Sequence, residues 1–264
     1  MLKTQICETL NKIKRLCPLI HCITNPISIT RCADSILSLG ARPIMAEHPK
    51  EVIKITENAD ALLLNLGNIT DVRMKSMLLS GRTAMKKKIP CVLDAVGISC
   101  SVLRKNYAKK LIRKTSPAII KGNYSEILAL YSDDYKTDGV DAAENLSKDM
   151  VLDAAISLSG KYGAVILASG KEDIITDGKR VAFIKNGTEK LGKVTGTGCM
   201  LGAICACGLS VAQPFTAATF ACAVLGVSGE EAGNNNFICE VIERFSEITL
   251  ENKINIEVTD VEKS

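Results

Sequence analysis

Short apolar runs alternate with amphipathic stretches from one end of this chain to the other. Met1 leads into Leu2, Ile6, Leu10 and Ile13, a spacing that predicts a helix and not a secretory leader. The run at 19–23 reads as a strand, and the helical stretch after it stops at Gly40, a natural C-terminal cap. Residues 43–46 precede a helix expected to open at Pro49, a favoured first-turn residue. The run at 61–66 leads to a helix from Thr70 and Asp71, the run at 91–94 to a helix after Ser101, and the run at 118–121 to a helix opened by Asn123. A long helix over 141–160 precedes a strand at 165–168. Continuous apolar runs, as opposed to alternating ones, mark strands covered on both faces. Their alternation with helices predicts right-handed βαβ units and a parallel sheet between two helix layers, a three-layer α/β/α fold.

One passage departs from this rhythm. Residues 173–184 hold Asp177-Gly178 between two strand-like runs, which predicts an antiparallel hairpin with a type I′ turn at the end of the sheet. Three helices are expected to complete the chain. The runs at 200–208 and 220–229 are apolar but separated by Gln213-Pro214, and neither reaches the roughly 20 residues of a membrane span. They read as two buried helices.

The 264 residues suit one large α/β domain over 1–264; there is no repeat, linker or low-complexity segment to divide it. A net charge of +4 is small, and the one tight basic cluster, Lys86 to Lys88, sits where a helix ends and cations meet the negative end of its dipole. With no Trp and 4% aromatic residues there is no platform for stacking bases, so neither nucleic acid nor membrane is an expected partner. The eleven cysteines lie mostly inside apolar runs (Cys32, Cys91, Cys205, Cys207, Cys222), where thiols behave as small hydrophobes. Free thiols in a reducing cytoplasm are the expectation.

The chemistry gathers in the stretch from Lys193 to Met200, which contains Gly196-Thr197-Gly198-Cys199 and runs straight into the apolar helix. Two glycines in three residues let the backbone turn and leave amides uncovered, and the helix start turns its dipole's positive end to the same spot. Such a place takes an anion, most often phosphate, and Cys199 presents one reactive group to it. Its plainer alternative is a turn capping a core helix. Asp94, Lys121 and Ser169 close strand-like runs, and Asn25 and Met45 follow the first two; all point to one edge of a parallel sheet, where such folds bind ligands. Asn123 and Glu126 read either as a capping box or, for Glu126 with Asp94, as a carboxylate pair holding Mg2+ through water. Lys121 is a point charge for ATP or a surface lysine; Ser169 is a hydrogen-bonding loop residue or a turn former. His21 reads as a core or edge histidine and His48 as a loop residue, and no zinc spacing or nucleophile elbow accompanies them.

Taken together, His21-Cys-Ile-Thr-Asn25, Gly40-Ala-Arg-Pro-Ile-Met-Ala46, Val92-Leu-Asp94 with Val96-Gly97, Gly122-Asn-Tyr-Ser-Glu126 and Val194-Thr-Gly-Thr-Gly-Cys199 resemble the hydroxyethylthiazole kinases in order and spacing across nearly the whole chain. The resemblance implies a ribokinase-like fold and a homotrimer with active sites between subunits. It also implies ATP- and Mg2+-dependent phosphorylation of 4-methyl-5-(2-hydroxyethyl)thiazole in thiamine salvage. On that basis Asn25, Met45 and Gly196 line the thiazole, and Lys121, Ser169, Thr195, Thr197 and Gly198 line ATP. Asp94 and Glu126 organise Mg2+, and Cys199 accepts the hydroxyl proton.

This chain departs from the family pattern at three places. The family usually has Arg at the position of Lys121, often Thr at that of Ser169, and Asp-Pro-Val-Gly-Ala where this chain has Asp94-Ala-Val-Gly-Ile98. Lysine keeps the charge but loses the planar fork. Two other readings stand beside the thiazole kinase. One is another small-alcohol kinase of the same fold, of the hydroxymethylpyrimidine or pyridoxal type. The other is a non-catalytic nucleotide-binding sensor.

Overall fold

The computed structural model describes residues 1–132 and 147–261. Helix α1 (Leu2–Leu16) is followed by β1 (Leu19–Ile23), α2 (Ile29–Ser38), β2 (Arg42–Ile44), α3 (Val52–Glu57) and β3 (Ala61–Asn65). Next come α4 (Asp71–Lys87), β4 (Cys91–Asp94), α5 (Val102–Thr115), β5 (Ile119–Asn123), α6 (Tyr124–Tyr131), α7 (Lys148–Tyr162) and β6 (Val165–Ser169). The chain ends through β7 (Asp173–Thr176), β8 (Arg180–Ile184), α8 (Glu189–Gly192), α9 (Thr197–Leu209), α10 (Pro214–Glu231), α11 (Phe237–Glu247) and β9 (Ile256–Asp260).

The nine strands among the described residues join one sheet in the order β2-β1-β3-β4-β5-β6-β7-β8-β9. The first six pair in parallel and the last three in antiparallel. Strand side chains alternate between faces, and here both faces are apolar. Leu63, Val92, Ile119 and Leu167 enter the core under α1, α2, α9, α10 and α11. Leu64, Leu93, Ile120 and Ile166 enter the core under α4 to α7. Two apolar layers around one sheet are the reason the strands read as unbroken hydrophobic runs.

The caps follow the residues that specify them. Thr70 and Ser101 accept from the amides of Arg73 and Arg104, and Asn123 with Glu126 forms a full capping box on α6. Four expectations shift. The α3 helix opens at Val52, because residues 48–51 first make a turn in which the His48 carbonyl accepts from Glu51 and Val52. Part of the helix expected over 141–160 lies outside the described residues, and α7 runs on to Tyr162 before Gly163 caps it at φ 64°. The hairpin turn is not type I′, which needs two positive φ angles. Gly178 at φ 79° is the only such residue there, and the Asp177 carboxylate turns the chain by accepting from the Lys179 and Arg180 amides. Finally, the hairpin does not end the sheet: four helices, α8 to α11, follow it where three were expected, and β9 then adds an edge strand along β8.

Candidate active site

Parallel register brings the polar strand ends together. Asn65 pairs across to Asp94, and Asp94 to Lys121, at the carboxyl ends of β3, β4 and β5. Each lies two residues beyond a side chain that faces the α9 layer, so all three point to the start of α9. That helix passes directly over them. A Cβ on Gly202 would stand 3.3 Å from Asp94 Oδ2, and one on Gly198 would stand 3.4 Å from Lys121 Nζ.

The result is a continuous buried chain of polar contacts. Lys121 Nζ donates to Asp94 Oδ1 at 3.0 Å, and Asn65 Nδ2 donates to Asp94 Oδ2 at 2.8 Å. Asn25 Nδ2 then donates to Asn65 Oδ1 at 3.1 Å and to Cys199 Sγ at 3.2 Å. Asn25, Asn65, Asp94, Lys121 and Cys199 are all buried. Beside them, the Thr24 and Ser28 hydroxyls are buried next to the Cys32 thiol.

Electrostatics at this edge are set by burial and by proximity. Burial pushes the Asp94 carboxyl up, opposed by Lys121 and by the Asn65 amide. For Lys121, burial works to lower the ammonium, but the carboxylates of Asp94 and Glu126 outweigh it and raise it. The pair is therefore held as an ion pair with a firmly protonated lysine. Glu126 is raised by burial, with Lys121 and the amides of Gly97 and Asn123 pulling the other way. Those amides donate to Glu126 Oε1 and Oε2, each at 2.7 Å. The carboxylate thus caps α6 and ties down the loop after Asp94 in one stroke.

Around Cys199 the loop has the predicted form. Gly196 takes φ 95° as the N-cap of α9, and the first helical bond runs from the Met200 amide to the Gly196 carbonyl. The amides of Thr197, Gly198 and Cys199 therefore lie ahead of the ladder, at the positive end of the helix. Arg31 binds the Thr195 carbonyl, and the Thr197 hydroxyl donates inward to the carbonyls of Leu191 and Val194. Ser169 is half-buried, its hydroxyl 3.4 Å from the Gly122 carbonyl. Met45 is half-buried against the core. His21 lies in the interior, with Nε2 against the Ala46 carbonyl and Nδ1 against Thr56 Oγ1, both at 2.9 Å. Burial lowers its pKa, so it serves as a neutral anchor for the segment carrying Met45. The cysteines deep in the core are different again; burial drives Cys32 and Cys91 up to about 12, which keeps them as inert thiols.

Sequence reasoning missed Asn65. Its signal was the one that exposed Asp94 and Lys121, a polar residue closing an apolar run, but Leu66 extends that run and hides the break. Among the described residues no group of three His, Cys, Asp or Glu side chains forms a metal cage. Nor is any helix among them long and apolar enough to cross a membrane. A recess of about 420 Å³ lined by Gln5, Lys12 and Gln213 lies at the far end of α9, remote from these groups.

Residues 10–251 match the hydroxyethylthiazole kinase family. A protein named hydroxyethylthiazole kinase 2 from Clostridium botulinum strain Hall is 48% identical over 224 residues, covering 83% of this chain and 84% of that protein. One named hydroxyethylthiazole kinase from Finegoldia magna is 40% identical over 249 residues, 92% of each. The solved structure of a hydroxyethylthiazole kinase from Pyrococcus horikoshii superposes with a TM-score of 0.88 at 28% identity, covering 98% of this chain and all of that one. A pyridoxal kinase from Staphylococcus aureus, solved with ADP, shares the ribokinase-like fold at a TM-score of 0.67 and 17% identity.

Proposed function

The chain belongs to the hydroxyethylthiazole kinase family, and from that membership we propose how its residues divide the reaction. It phosphorylates the hydroxyl of 4-methyl-5-(2-hydroxyethyl)thiazole with ATP, a step of thiamine salvage. Asn25, Met45 and Gly196 hold the thiazole. The amides of Thr197 and Gly198, with Thr195 and Ser169, hold the nucleotide phosphates. Lys121 acts from beneath Gly198 as a fixed positive charge, because its ammonium is already bound to Asp94. Cys199 Sγ takes the hydroxyl proton while the substrate oxygen bonds to the γ-phosphorus and ADP leaves. The proton then passes to solvent.

Asp94 and Glu126 supply hard oxygen donors of the kind Mg2+ takes. Each of their oxygens already accepts one protein hydrogen bond, which suits a hydrated ion held mainly by the phosphates. When bound, the ion offsets charge on the transferring phosphoryl group. We further propose a single kinase domain spanning the whole chain, a homotrimer with sites between subunits, and a cytoplasmic location, the last supported by eleven free cysteines.

The observation that carries the assignment is Cys199 Sγ, 3.2 Å from the Asn25 amide at the positive end of α9. Its test is ADP release with ATP, Mg2+ and either the thiazole alcohol, pyridoxal or hydroxymethylpyrimidine. The thiazole alcohol should give the highest kcat/KM. Turnover of either competitor in its place would assign a different alcohol to this site, and ATP binding without turnover would make it a sensor.

A further inference from the structure

We infer that Asn65 is a positioning residue for phosphoryl transfer: it aims the Asn25 amide at Cys199 and joins that amide to the Asp94–Lys121 pair. The inference rests on the role proposed above for Cys199. The two ends of an asparagine amide look alike, and their direction has to come from their partners. Here the partners leave one solution. The Gly67 amide donates to Asn65 Oδ1 at 2.8 Å, so that end is the carbonyl. The other end faces Asp94 Oδ2 at 2.8 Å, a carboxylate that accepts, so that end is the NH2 group. Both ends give the same orientation independently.

Asn25 is fixed in the same way. Its Oδ1 accepts from the amides of Ile27 and Ser28, each at 3.1 Å. Its two N–H bonds therefore go to Asn65 Oδ1 and to Cys199 Sγ. Both oxygens and both nitrogens of this amide pair are engaged, and neither amide is free to turn. Gly67 makes the close approach feasible: a Cβ there would stand 2.7 Å from Asn25 Nδ2 and 2.9 Å from Asn65 Oδ1. Asn65 itself has no exposed surface, so it reaches no substrate. Burying an amide at the end of the apolar strand β3 is unfavourable unless it is hydrogen-bonded, and the direction of its bonds is what reaches the reacting centre.

The experiment measures kcat and both KM values for Asn65→Asp, alone and in the Cys199→Ala background, with thermal unfolding alongside. Aspartate keeps the shape and the acceptor for Gly67 and Asn25, but sets a second carboxylate against Asp94. We expect kcat to fall about tenfold or more with both KM values within about threefold, the signature of an interaction used in the transition state. Against Cys199→Ala, the same change should alter kcat by less than about twofold, because residues acting as a unit are not additive.

Asn65→Ser, whose hydroxyl is too short to bridge Asp94 and Asn25, should show the same loss and serves where the aspartate variant does not fold. Parent-like kcat in both Asn65 variants, or an equal fold-loss in the Cys199→Ala background, overturns the inference. Parent-like kcat in Cys199→Ala alone overturns the base assignment and this inference together. A deep loss there, with normal Asn65 variants, overturns only this one.

Discussion

Cys199 stands where the first turn of α9 meets a donor, and its sulfur accepts from the Asn25 amide. If the sulfur takes the substrate proton, Cys199→Ala should lose roughly 10²-fold in kcat with small change in either KM. Cys199→Asp should keep activity, since a carboxylate accepts from the same amide. Steady-state kinetics with the thiazole alcohol decide this, and near-normal turnover in the alanine variant removes the role. Lys121 carries a different burden. Replacing it by Met leaves Asp94 charged, buried and unpaired, at a cost of about 3–5 kcal/mol in denaturant unfolding. The deficit should narrow on acidification as Asp94 takes up a proton. An unchanged midpoint would mean that the pair contributes nothing to the fold. The strand-end positions of Asp94, Lys121 and Ser169 were legible in the sequence, because each ends an apolar run. The burial of the Lys121 ammonium was not, since it depends on register and on α9 lying above it. Neither was the direction of the Asn25 and Asn65 amides, which only their partners define.

At the scale of elements, the strands were legible because two apolar layers make each of them continuously hydrophobic, and the helix starts because Thr70, Ser101 and Asn123 are good caps. β9 was not legible: Glu257, Val258, Thr259 and Asp260 are exposed on an edge strand, so no buried pattern announces it. The turn joining β6 to β7 offers a pH test. Burial raises the Asp173 carboxyl to about 6, against the pull of the Gly170 amide, the Cys222 thiol and Lys121. A carboxyl that holds its proton more tightly when folded favours the fold while protonated. That contribution is full below the unfolded value of 3.8 and is lost as pH rises through about 6. Asp173→Asn should therefore gain on the parent between about pH 4 and about pH 7, by on the order of 1–2 kcal/mol, discounted because the residue is only half-buried. Urea unfolding across that range measures it, and parallel pH slopes for the two proteins would show that Asp173 does not titrate with folding.

For the whole molecule, the three layers explain why the site lies at one edge: six parallel strands end there, and α9 starts there. They also leave that edge open in a single chain. Thr195 and Gly198 are exposed, Met45 is half-buried, and Ile27, two residues from Asn25, is 65% exposed. An isoleucine held in water beside a substrate-binding amide is unfavourable unless something covers it, and the proposed trimer supplies a neighbouring subunit to do so. Light scattering should then give the mass of three copies of a 28.3 kDa chain, about 85 kDa. Ile27→Asp should shift the mass toward one chain and raise the thiazole KM. The ATP KM should change less, because the glycine loop, Lys121 and Ser169 come from one subunit. A 28.3 kDa species with full turnover at micromolar concentration would show that one chain builds the complete site, and Ile27 would then have to be covered by the thiazole itself.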